Sequence, residues 1–129
     1  MHPSDHARTS ARLFGGKPDE YTFLHEWFDA TKEHFADFRH RALRHHAEGI
    51  FECERLFGVS FVNSAGKTVY VRYVAEQHVK EDCGGEIPTI ARWLSRIKVE
   101  PWMAKGYPSL SATPLPEPPS EPSTAKENP

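Results

Sequence analysis

The eight residues Arg39-His40-Arg41-Ala42-Leu43-Arg44-His45-His46 hold three arginines and three histidines and no acid. Neutral imidazole ligates zinc and related ions and titrates near neutral pH, while guanidinium holds carboxylates and phosphates through paired hydrogen bonds. Read as part of a helix over 38–57 and stepped at 100° per residue, the stretch puts His46 inside an apolar stripe of Phe35, Leu43, Ile50, Cys53 and Phe57. Arg41, Arg44, Glu48, Glu52 and Arg55 fall opposite, where alternating charge and pairs such as Arg44–Glu48 describe an ordinary solvated face. His40 and His45 fall on the flanks, half exposed. Arg39, His46 and Glu54 remain inside the apolar arc. A titratable group aimed at a core must be hydrogen-bonded, paired or bound to a metal.

A metal needs more than one donor. His25 and Asp29 stand at i, i+4 beside the Leu24/Phe28 face of the preceding helix, a spacing that lets both reach one ion. His78 falls beside Val74, Ala75 and Val79 if Glu76-Gln77-His78 is helical, and His6 faces inward from the first helix. The sequence thus nominates His25, Asp29, His46 and His78 as a divalent-metal set, zinc being the type ion. Arg39 and Arg44 are the candidate anion-binding groups. The competing expectation from the same residues is structural: Arg39 pairs with an acid and His46 donates to a backbone carbonyl. No HExxH or HxHxDH motif decides between them.

The elements that would position these groups follow from period and punctuation. Ser4 is the expected cap of a helix through about Phe14, stopped by Gly15-Gly16. Pro18-Asp19-Glu20 opens the next helical region, with proline in the first turn and acids at the positive end of the dipole. The span 19–57 reads as one long helix or two, and ordinary helix lengths favour two, the second closed by Gly58. Val59-Ser60-Phe61-Val62 and Thr68 through Val74 are β-branched and aromatic and bracket Asn63-Ser64-Ala65-Gly66, which predicts a β-hairpin. A short helix over 75–82 follows, then Gly84-Gly85. Pro88-Thr89 opens a last helix with Ile90, Trp93, Leu94 and Ile97 on one face. Trp102 is expected to pin the end of the domain. The fold class is α+β, mainly helical with one β-hairpin, as a single domain over 1–107.

From 108 to 129 stand seven of the eleven prolines and no aromatic residue. Such a segment cannot bury enough apolar surface to offset its ordering entropy, which predicts a disordered tail. That tail accounts for the whole formal charge of −2. A neutral body argues against nucleic acid as the partner. No apolar run reaches the length of a membrane span or signal peptide, so a cytoplasmic protein with reduced Cys53 and Cys83 is expected.

Other chemistries find less support. Ser60 and Ser64 lack a G-x-S-x-G elbow. Gly15-Gly16-Lys17 lacks the spacing and the preceding strand of a phosphate loop. Cys53 reads as a small buried hydrophobe. Pro116-Glu117-Pro118-Pro119 fits P-x-x-P without a basic anchor and reads as linker.

Phe38-Arg39-His40-Arg41-Ala42-Leu43-Arg44-His45-His46-Ala47-Glu48-Gly49-Ile50-Phe51 resembles the signature of a family of small uncharacterised proteins of bacteria and their phages. Phe14-Gly15-Gly16-Lys17-Pro18, Trp27-Phe28-Asp29, Asn63-Ser64, Glu76-Gln77-His78-Val79 and Pro101-Trp102-Met103 carry the same resemblance, which covers the body and leaves out the tail. The family pattern has leucine where this chain has Cys83 and a shorter turn before Ile87-Pro88, which argues against a zinc role for Cys83. The resemblance implies domain boundaries and no activity. Two expectations result: a small accessory or interaction protein with a protein partner, or a divalent-metal-dependent hydrolase acting on an ester such as a phosphoester.

Overall fold

Proline has no backbone N–H to lose, so Pro3 sits without penalty in the first turn of helix α1 (Pro3–Phe14). The cap is His2, whose Nδ1 accepts from the Ser4 N–H at 3.1 Å, two residues before the serine that the sequence nominated. Gly15 and Gly16 end the helix at φ 87° and 74°, a region that side chains disfavour. The turn they make is tied to the hairpin. Tyr21 donates its hydroxyl to the Gly15 carbonyl at 2.6 Å, and Asn63 Nδ2 donates to the Phe14 carbonyl at 3.0 Å and to Tyr21 Oη at 3.2 Å. Glu20 accepts from the backbone N–H groups of Lys17 and Ser64, both at 2.6 Å. The Gly-Gly-Lys segment is therefore a docked helix stop, with its lysine amide spent on a carboxylate.

The computed structural model of the protein describes residues 1–107; the Pro-rich segment 108–129 lies outside the described residues. Among the described residues the fold is α+β, with six α-helices and one two-stranded antiparallel hairpin. No helix among them is long and apolar enough to cross a membrane. The chain divides into two compact units, the first spanning Met1–Ile87 and the second beginning at Pro88.

The region read as helix 38–57 is broken. After α2 (Thr22–Asp29) and a 3-10 turn over Ala30–Glu33, Asp37 caps a second 3-10 turn, Phe38–His40, by accepting from the Arg39 N–H at 2.9 Å. A single turn, α3 (Arg41–Arg44), follows, and then the chain leaves helical geometry at His45 and His46 before α4 (Ala47–Phe57). His46 is extended, at φ −159° and ψ 171°, and caps α4 by accepting from the Gly49 N–H at 2.9 Å. This break resets the helical phase. Leu43, placed in the core by an unbroken reading, is 52% exposed, while His45 is wholly buried. The corner is tight enough to specify Gly49, where a β-carbon would overlap the Arg44 carbonyl.

The hairpin is shorter than expected. Strands β1 (Ser60–Val62) and β2 (Thr68–Tyr70) pair in the register Ser60↔Tyr70, Phe61↔Val69, Val62↔Thr68. The chain then turns directly into α5 (Val71–Asp82), so Val71 and Val74 are helical instead of strand. The reason is a second periodicity laid over the first. Val71, Val74, Ala75, His78 and Val79 recur at helical spacing and are all buried, which outweighs the β preference of valine. With Ala7, Tyr21, Leu24, Phe28, Ile50, Cys53 and Val69 they make the core of the first unit.

In the second unit Thr89 caps α6 (Ile90–Leu94) by accepting from the Arg92 N–H at 3.1 Å, and Pro101–Ala104 form a 3-10 turn. Trp102 is 72% exposed.

Two substitutions test this account by urea denaturation. Tyr21→Phe removes the donor to Gly15 and the acceptor for Asn63, and is expected to cost about 1–2 kcal/mol; an unchanged midpoint would refute the junction. Gly49→Ala is expected to cost upwards of about 2 kcal/mol through overpacking at the α3–α4 corner. A neutral or stabilising alanine there would show that the corner has room.

Candidate metal centre

Helices α2 and α5 each present a histidine and an aspartate one turn apart: His25 with Asp29, and His78 with Asp82. The i, i+4 spacing stacks each pair on one face. His45, swung inward by the break between α3 and α4, completes the group. His78 Nε2 lies 3.1 Å from His45 Nε2, 3.2 Å from Asp82 Oδ2 and 3.4 Å from Asp29 Oδ1. His45 Nε2 lies 3.1 Å from Asp82 Oδ2 and 3.8 Å from Asp29 Oδ1. The four ligand-type atoms fall within 4.8 Å of one another. His45 and His78 are fully buried, and the side chains of Asp82 and Asp29 are 3% and 7% exposed.

His25 stands behind this group. Its Nδ1 is 2.9 Å from His78 Nδ1 and its Nε2 is 2.7 Å from Ser10 Oγ. His6 Nδ1 meets Glu81 Oε1 at 2.7 Å, and its Nε2 faces Asp82 Oδ1 at 3.3 Å. Among the described residues neither oxygen of Asp29, nor Asp82 Oδ1, nor His6 Nε2 makes a hydrogen bond, although all are buried. A buried carboxylate is strongly unfavourable unless positive charge lies near it, and here the Met1 ammonium stands 3.5 Å from Asp82 Oδ1 and the Lys32 ammonium 3.9 Å from Asp29 Oδ2.

The electrostatics follow from this crowding. Burial holds His25 down to about 3 and His45 down to about 4, so both rings are neutral. Burial also lowers His40 and His46. His6 goes the other way. Burial disfavours its charge, but Asp82 and Glu81 together raise it. Burial opposes ionisation of Asp82 and Asp29 as well. The rings of His45, His6 and His78 overcome it at Asp82, and His78 with the Lys32 ammonium, 3.9 Å away, overcomes it at Asp29, so both carboxyls titrate below their ordinary range.

Of the four residues nominated from the sequence as a metal set, His25, Asp29 and His78 come together and His46 does not join them. His46 accepts from the Gly49 N–H and donates Nε2–H to the Leu43 carbonyl at 3.2 Å, so both ring nitrogens serve the α4 cap. Its neighbour His45 occupies the position assigned to it. Arg39 is exposed, bidentate on Asp37 and stacked 4.2 Å over Phe35. Arg44 donates to the Trp27 carbonyl at 2.5 Å and lies 4.2 Å over the Trp27 ring. Neither guanidinium is among the groups around His78. Cys53 is buried, and burial pushes its thiol up to about 12, which keeps it protonated. The sequence reading missed Asp82 and His45. The repeat of His-x-x-x-Asp at His25–Asp29 and His78–Asp82 was the available signal for Asp82.

The chain belongs to the family described as a domain of unknown function, DUF6915, whose match spans residues 1–103. No curated protein and no solved structure matches it.

The lowered histidines set a pH dependence for the metal-free protein. A base whose folded pKa is depressed takes up a proton on unfolding below its unfolded value near 6.5, so stability falls as pH falls. His25, His40, His45 and His46 all act in that sense. His6, raised in the fold, contributes in the opposite sense: its stabilisation is full below pH 6.5 and fades as pH rises through its folded value. Four groups against one predict a lower urea midpoint at pH 5 than at pH 7.5, with most of the loss beginning below pH 6.5. A midpoint that is equal or higher at pH 5 would contradict neutral buried imidazoles.

Proposed function

We propose that this protein is a metal-binding domain in which Asp29, His45, His78 and Asp82 hold one divalent cation. The observation that carries this reading is the spacing of the four donor atoms. Bonds of about 2.0–2.2 Å to a tetrahedral ion put its ligands about 3.3–3.6 Å apart. The five separations given above run from 3.1 to 3.8 Å. Asp29, with both oxygens buried and without a hydrogen bond, supplies a second support, because a cation in the site would reduce the electrostatic penalty of its burial further than Lys32 at 3.9 Å does. Two imidazoles and two carboxylates suit zinc, manganese or ferrous iron, in the middle of the hard-to-soft range.

Metal-assisted hydrolysis of an anionic ester is the reaction class that fits this donor set. A divalent ion bound there would supply Lewis-acid activation of a water taken up as a fifth ligand. Asp29 favours it over a closed structural site, being the donor side chain with the largest exposure and the one beside Lys32, a cation able to attract an anionic substrate.

The test is metal content of tag-free protein purified without chelator, beside three variants. One equivalent of metal is expected in the wild type and in His46→Ala, and a loss of it in Asp29→Asn and His45→Gln, with helix content by circular dichroism unchanged. Metal loss in His46→Ala with retention in His45→Gln would overturn the ligand set. A wild type that takes up none of zinc, manganese or iron would remove the metal reading and leave an interaction protein. The loaded wild type is then offered a chromogenic phosphoester, and turnover that survives Asp29→Asn would sink the hydrolytic role.

A further inference from the structure

We propose that Ser10 and His25 form a relay that fixes the tautomer of His78, so that its Nε2 lone pair points at the cation site. The inference rests on the metal reading above and assigns His25 a different part in it, as a positioning residue and not a ligand.

The chain of donors can be followed from one end. Gln77 Nε2 stands 2.9 Å from both the His6 carbonyl and Glu81 Oε1, which are acceptors only, so the amide nitrogen belongs on that side. Gln77 Oε1 then faces Ser10 Oγ at 2.6 Å. The serine hydroxyl has a single proton, and the 2.6 Å contact with Gln77 Oε1, an acceptor only, cannot be made without it. That proton therefore points away from His25. The contact of 2.7 Å between Ser10 Oγ and His25 Nε2 must therefore be made by the His25 proton.

A neutral imidazole carries one N–H, so protonation of His25 at Nε2 leaves its Nδ1 as an acceptor. His78 Nδ1, 2.9 Å away, must then be the donor. With its Nδ1 proton committed to His25, His78 turns Nε2 toward Asp29, His45 and Asp82, where a bound cation would take its lone pair. Metal-ligating histidines show this arrangement, in which the remote N–H is held by a partner that orients the ring and raises its basicity. Ser10, His25, Gln77 and His78 are all buried, so water does not compete for these bonds.

The experiment has two readouts on full-length protein: imidazole nitrogen shifts by ¹⁵N NMR in the metal-free state, and zinc affinity by chelator competition. The expected wild type has His78 protonated on Nδ1 and His25 on Nε2. Ser10→Ala removes the acceptor for His25, and is expected to shift both rings away from those tautomers and to weaken zinc binding roughly 10- to 100-fold. Ser10→Thr keeps the hydroxyl and is expected to keep the wild-type tautomers. A wild-type His78 without a proton on Nδ1 overturns the relay without any variant. So does a Ser10→Ala protein with wild-type zinc affinity. If zinc fails to bind the wild type, the metal centre falls, while the nitrogen shifts still decide the direction of the proton chain.

Discussion

Asp29 and Asp82 carry ionised carboxylates into the interior of a small helical unit, and the placement of its helices follows from keeping those charges compensated. A buried carboxylate without partners is unfavourable by several kcal/mol after relaxation. Here the Met1 and Lys32 ammonium groups lie against them, among imidazoles drawn from three helices and one break: His6 from α1, His25 from α2, His78 from α5, and His45 between α3 and α4. Each ring does double duty. His78 stacks on Phe28 with ring centres 4.8 Å apart while its edge nitrogens face the polar group, so the cluster is continuous with the apolar core. Moving any of these helices by one residue would remove a neighbour from both.

The parts of this arrangement that were readable in the sequence are the parts governed by local rules. Gly15-Gly16 as a stop, the Asn63–Gly66 turn and the inward face of α2 depend on a few adjacent residues, and all stand where period and punctuation put them. His25 and Asp29 were readable for that reason. The His45–His46 pair was not, because an unbroken helical projection puts His46 inward and His45 on the flank, and the cap at His46 reverses them. Histidine is an uncommon cap, so neither residue type nor spacing announces the break. The extended backbone at His46 and the close approach of the Arg44 carbonyl to Gly49 show it.

The segment Val71 to Asp82 teaches a related point. Its first residues are β-branched and aromatic and continue the alternation of β2, yet they also begin a helical stripe that runs on through Val79 to Asp82. Two periods overlap for four residues, and the longer one prevails because it buries more side chains. Ending the strand at Tyr70 is what brings His78 and Asp82 onto the face that meets α2. The same short hairpin leaves its turn free to hold the end of α1 through Asn63 and Glu20.

The donors Asp29, His45 and the His78–Asp82 pair belong to stretches of chain that are far apart in sequence. An ion shared among them would act as a non-covalent cross-link closing two long loops at once. Such a link would exist only in the folded chain, and its rupture would require the segments it ties to separate. The lifetime of the folded state would then be set by the off-rate of the ion more than by the packing of a core this small, and an occupied centre would be a kinetic lock on the fold.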